Sequence, residues 1–119
     1  MLKKSNRLTS NFEFNVTKKY GKKFTGEFIT VFAVVPRNYK GPLKIGIVVP
    51  NSVHNKAVKR NRPKRLIRES IRNMLKNSDI EVPENLWLVI YAKKGILEKS
   101  YAEISTDINK TLQEILVTR

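Results

Sequence analysis

Residues 57–72 read Ala-Val-Lys-Arg-Asn-Arg-Pro-Lys-Arg-Leu-Ile-Arg-Glu-Ser-Ile-Arg and hold seven of the chain's 24 Lys and Arg residues. Wound into a helix at about 100° per residue, this stretch and the residues after it separate into two faces. Ile67, Ile71 and Met74 gather on one, with Leu66 and Leu75 on its flanks. Asn61, Arg65, Arg68, Arg72 and Lys76 line the other, Lys64 lies beside them, and Arg60 and Arg62 stand at the N-terminal end. Glu69 is the only acid between Arg60 and Lys76. The apolar face has to be covered by other parts of the chain, so the helix belongs to a layered fold and not to a disordered basic tail. The cationic face is left for a polyanion. Pro63 is comfortable only in a first helical turn, where its missing N–H has no partner to lose. Either the helix starts close to Asn61, or a preceding turn from Asn55 is kinked at Pro63; the favoured form is a short turn over 54–60 leading into a helix from about 61 to about 77.

Upstream, residues 27–36 are rich in β-branched and aromatic side chains and close at Pro36, which predicts a strand. Asn38, Gly41 and Pro42 mark a turn, and Leu43 to Val49 forms a second strand, so a hairpin of these two is expected. A further strand over 22–25 is weakly signalled. Ser10 and Glu13 have capping-box spacing and Gly21 sits at a stop, which predicts a helix over 11–20. Its repeat of Phe12, Val16 and Tyr20 reads as one apolar stripe, with Phe14 pointing away from it. Downstream, Leu86 to Ala92 is apolar almost throughout and suits a central strand covered on both faces. Ser100 and Glu103 start a last helix whose stripe is Tyr101, Ile104, Ile108, Leu112 and Ile115. The order α-β-β-(β)-α-β-α is an α+β fold, and 119 residues suit a single domain over 1–119.

Apolar residues make up 40% of the chain, enough for a core, while the net charge of +14 calls for a large anionic partner. No cysteine is present, which removes disulfides and thiolate chemistry. The longest apolar stretches are too short to span a bilayer, and the N-terminus has charge but no signal-like apolar core, so a cytoplasmic protein is expected. Arginine dominates the cationic face, and its planar fork donates two parallel hydrogen bonds to a phosphate. Asn61 adds a donor and an acceptor for a ribose or base edge. Catalytic groups are scarce. His54 is the sole histidine, and Glu81, Glu84, Glu98 and Glu103 are scattered without metal-ligand spacing.

The run Arg60-Asn61-Arg62-Pro63-Lys64-Arg65-Leu66-Ile67-Arg68-Glu69, preceded by Ala57 and the strand Leu43 to Val49 with its Gly46, resembles the protein subunit of bacterial ribonuclease P. Val89 to Gly95 is similar to that family's late strand and basic turn, and Arg7-Leu8, Phe14 and Gly21 also fit. The resemblance implies a ribonucleoprotein that removes 5′ leaders from precursor tRNA, with the RNA and its bound divalent metal performing the hydrolysis. It also implies an α-β-β-β-α-β-α fold with a left-handed crossover, where the general rule would give a right-handed one. Carried over, Arg60, Asn61, Arg62, Lys64, Arg65 and Arg68 would contact the catalytic RNA, with Arg72 and Lys93 as extensions. Phe14 would line a cleft for the single-stranded leader, joined by Lys18, Ile29 and Val31.

Strand parity sets Phe28, Thr30 and Phe32 on one face and Ile29, Val31 and Ala33 on the other, and only the resemblance selects the second set for the cleft. The chain departs from the family pattern at Asn51 and Ser52, where many relatives carry a lysine pair, and at Lys18 and Val31, where aromatic rings occur. The implied partners are the catalytic RNA and precursor tRNA, without DNA or membrane; Mg2+ would come through the RNA, the protein binding no cofactor by itself. Composition alone also permits a non-enzymatic RNA-binding protein. DNA binding would need a partnered helix-turn-helix or a dimer, and neither is signalled.

Overall fold

The computed structural model describes residues 6–8, 10–37, 39–76 and 84–118, with side chains of the last helix described as far as Ile115. Asn38, Glu81 and the expected end of the basic helix at 77 lie outside these residues. The elements are α1 (Asn11–Tyr20), β1 (Lys22–Thr25), β2 (Ile29–Val34), β3 (Lys44–Val48), α2 (Ala57–Lys76), β4 (Trp87–Ala92) and α3 (Tyr101–Thr118). A short 3-10 turn, Lys94–Ile96, leads from β4 towards α3.

The four strands form one mixed sheet in the order β1-β2-β4-β3. The weakly signalled first strand is real and makes the hairpin with β2, Lys22 opposite Ala33. The expected β2–β3 hairpin does not form. Instead β4 lies between them, antiparallel to β2 and parallel to β3. Turn residues report that the chain reverses, but not which strand arrives later to fill the gap. The central position of β4 matches its continuous apolar run: five of its six residues are buried.

Alternation divides the sheet into two faces. Ile29, Val31 and Ala33 of β2, Ile45 of β3 and Leu88, Ile90 and Ala92 of β4 join Ile67 and Ile71 of α2 and Ile104, Ile108, Leu112 and Ile115 of α3 in the main core. The other face is thinner, with Leu8, Trp87 and Val89 buried and Phe14, Val16, Val48 and Tyr91 half-buried around them. Here α1 packs. Its N-terminus has the reciprocal box expected of Ser10 and Glu13, with both bonds at 3.1 Å.

The apolar repeat of α1 is not its buried stripe. Phe12 is 70% and Tyr20 68% exposed, whereas Glu13 and Thr17 are buried. Both polar residues go inward satisfied: Glu13 receives Lys44 Nζ at 2.9 Å, and Thr17 donates to the Glu13 carbonyl at 2.8 Å. At the far end Gly21 keeps a negative φ of −76°. Glycine is needed there because a Cβ would run into the Thr17 carbonyl and press on that of Ala33.

Helix α2 begins at Ala57, four residues before the expected start, and continues through Pro63. Proline has no N–H to offer the Lys59 carbonyl, but its ring is fully buried, so packing offsets the missing bond. The first turn is secured from outside, with Lys56 O accepting from Lys59 N and Arg60 N. On α3 the Ser100–Glu103 box forms as expected, and Ile104, Ile108, Leu112 and Ile115 are buried. Tyr101 is half-buried and its hydroxyl accepts from Asn73 Nδ2 at 2.7 Å.

Candidate nucleic-acid interface

The burial of Ile67 and Ile71 fixes the roll of α2 and therefore which side chains face out. Asn61, Lys64 and Arg65 are exposed and Arg68 is half-buried. None of the four has a carboxylate partner among the described residues, where the ion pairs are Lys44–Glu13, Arg72–Glu69 and Lys99–Glu103. The other cations expected on this surface are partly engaged. Arg60 donates to the His54 carbonyl at 2.9 Å. Arg62 NH1 donates to the carbonyls of Leu97 at 3.2 Å and Lys99 at 3.1 Å. Arg72 pairs with Glu69 at 2.9 Å, and its Nε is buried without a partner. Lys93 is half-buried and donates to the Gly26 carbonyl at 2.7 Å. The unengaged face is thus narrower than the sequence implies: Asn61, Lys64, Arg65 and Arg68.

His54, the lone histidine, is part of the scaffold of this helix. Its Nδ1 accepts the Lys56 N–H at 3.0 Å while its carbonyl holds Arg60.

A second surface lies where α1 meets the sheet. Phe14 is half-buried with its ring on Gly46, where a Cβ would enter the ring. Lys18 Nζ stands 5.3 Å above the Tyr91 ring, and Phe32 meets Tyr91 edge-on with centroids 5.7 Å apart. Phe14 and Lys18 therefore share one side of the molecule, but Ile29 and Val31 do not join them. Both are 0% exposed in the core beneath α2 and α3, and a side chain with no solvent-facing area cannot line an open cleft. The opposite parity set supplies this face, in Thr30 and Phe32, with Tyr91 from β4. A signal was available: Ile29, Val31 and Ala33 are wholly aliphatic, as a fully covered face requires, while Thr30 and Phe32 suit partial exposure. Tyr91 was hidden in a run that reads as uniformly apolar.

Sequence reading also missed Asp107. Its carboxylate oxygens accept the backbone N–H groups of Glu27 and Phe28, each at 2.8 Å, so α3 holds the β1–β2 turn. Gly26 is confined by the same carboxylate and by Thr111, which leave no room for a Cβ. Together with Lys93 on the Gly26 carbonyl, this fixes the turn beside the segment that follows β4.

Comparisons with known proteins bear on the family and the fold. The family profile described as Ribonuclease P matches residues 2–116. The ribonuclease P protein component of Clostridium kluyveri is 36% identical over 109 residues, covering 91% of this chain and 92% of that one. That of Legionella pneumophila strain Lens is 34% identical over 115 residues, covering 95% and 91%. Among solved structures, the RNase P protein of Staphylococcus aureus superposes with a TM-score of 0.78 at 21% identity, covering 94% and 96%. That of Thermotoga maritima gives 0.74 at 24%, covering 91% and 96%. The two structures share the fold, and the sequence matches run nearly end to end: this chain belongs to the ribonuclease P protein family.

Proposed function

We propose that the chain is the protein subunit of a ribonuclease P, acting in the cytoplasm to assist removal of the 5′ leader from precursor tRNA. The observation that carries this reading is the outward face of α2, where Asn61, Lys64, Arg65 and Arg68 stand without carboxylates on a helix clamped by its buried underside. Such a face offers phosphates rigid, charge-assisted donors. Arg60, Arg62 and Arg72 flank it on the same helix and, with Lys93 after β4, add to the positive potential. The catalytic RNA is its ligand.

The leader lies along the α1 side of the sheet, where Phe32, Tyr91 and Phe14 offer ring surface and Lys18 a phosphate partner. Stacking there contributes about 1–3 kcal/mol per base with little sequence demand.

Hydrolysis belongs to the RNA. The divalent ion of the reaction is held by the RNA. No described helix is long and apolar enough to cross a membrane. Reconstitution tests the reading: added to a bacterial ribonuclease P RNA at low magnesium, the protein restores leader removal, and alone it cleaves nothing. Binding without improved cleavage would leave a non-enzymatic RNA-binding protein.

A further inference from the structure

We propose that Arg62 is a positioning residue: it braces the segment after β4 against α2, so that two separate groups of cations meet RNA as one rigid surface. The inference rests on the RNA-binding reading of α2 but assigns Arg62 a different part in it from Arg65 or Arg68. One guanidinium nitrogen, NH1, donates to two carbonyls, Leu97 at 3.2 Å and Lys99 at 3.1 Å. These carbonyls lie between the 3-10 turn and the Ser100 N-cap of α3, 35 and 37 residues away in sequence.

The rest of that segment is already tied down elsewhere. Ile96 N donates to the Lys93 carbonyl and Lys99 N to that of Ile96. Lys93 Nζ holds the Gly26 carbonyl, and Lys99 Nζ lies 5.1 Å from the Phe28 ring centroid. All of these bonds anchor the segment to itself or to the β1–β2 turn. Arg62 adds a direct hydrogen-bonded link from it to the N-terminal half of α2.

NH1 spends both its hydrogens on two carbonyls of its own chain, which holds the guanidinium in place, while the three N–H donors on NH2 and Nε take no part in the brace. The segment it holds carries Lys93, Lys94 and Lys99. Held against α2, these cations keep a fixed spacing from Lys64 and Arg65, and RNA binding need not order them. The gain from such pre-ordering is roughly three- to tenfold in affinity.

Lysine at this position keeps the charge but is one bond shorter and lacks the planar fork, so it cannot serve both carbonyls in the same way. The test compares Arg62→Lys, Arg62→Ala and Arg65→Ala by amide hydrogen exchange of the free protein and by affinity for ribonuclease P RNA across a salt series. Bracing predicts faster exchange over residues 96–100 in both Arg62 variants, similar loss of affinity in both, and a near wild-type salt slope for Arg62→Lys. Arg65→Ala leaves exchange unchanged and lowers the slope. An Arg62→Lys protein that binds like wild type would overturn the brace, as would unchanged exchange over 96–100 or loosening that leaves affinity intact. If Arg65→Ala also binds with unaltered affinity and slope, the RNA-binding reading of α2 fails, and the brace as a positioning device fails with it.

Discussion

Single side chains decide which face of the sheet does what. Gly46 is small because Phe14 lies on it, and a methyl group there would enter the ring. Gly46→Ala is expected to destabilise the protein by about 1–3 kcal/mol in urea denaturation, as overpacked sites do. The loss should shrink in a Phe14→Ala background, because the two changes share one contact. Ile29 and Phe32 make a sharper contrast, three residues apart on opposite faces. Ile29→Ala empties a fully buried site and should cost about 2–5 kcal/mol of stability. Phe32→Ala should leave most of the stability and weaken binding of leader-bearing precursor by about 1–3 kcal/mol, with mature tRNA unaffected. Equal losses for the two RNAs would remove the leader from this face.

At the scale of elements, legibility followed whether the deciding interactions were local. The Ser10–Glu13 and Ser100–Glu103 boxes span three residues and could be read directly, as could the α3 stripe from Ile104 to Ile115. The α1 stripe misled because Lys44, 31 residues away, draws Glu13 inward and leaves Phe12 and Tyr20 outside. The start of α2 misled because burial of the Pro63 ring is a tertiary fact that overrides a local preference. Asp107 clamps a turn some 80 residues earlier and had no local signature. Asp107→Ala would leave the N–H groups of Glu27 and Phe28 without acceptors and should cost about 2–3 kcal/mol, measured by thermal unfolding. Glu103 gives a pH test. The Ser100 backbone N–H and hydroxyl, helped by Lys99, hold its carboxyl below the ordinary 4.5. Because the folded value is the lower one, the stabilisation is present above pH 4.5 and is lost as pH falls through the folded pKa. Measured against the exchange rate of the unfolded chain at the same pH, the protection of amides at the start of α3 should therefore fall on acidification below that point, and Glu103→Gln should flatten the response.

For the molecule as a whole, the order of elements and the α+β class could be read from periodicity, but the position of β4 between β2 and β3 could not, since strand pairing is nonlocal. The cationic face followed from the sequence because one buried stripe fixes the roll of an entire helix. Which cations stay unengaged did not, because the carbonyls of His54, Leu97, Lys99 and Gly26 that occupy Arg60, Arg62 and Lys93 belong to other segments. A net charge of +14 on one small domain repels itself, so the protein should melt higher with a polyanion bound than without. In the proposed function the outward arginines of α2 grip RNA phosphates. The most direct measurement is the dependence of log Kd for ribonuclease P RNA on log salt for the wild type, Arg65→Ala and Arg68→Ala. Each substitution should weaken binding and reduce the slope by about 0.7–0.9, one phosphate contact's worth. Unchanged slopes in both variants would place those side chains in solvent and contradict the account.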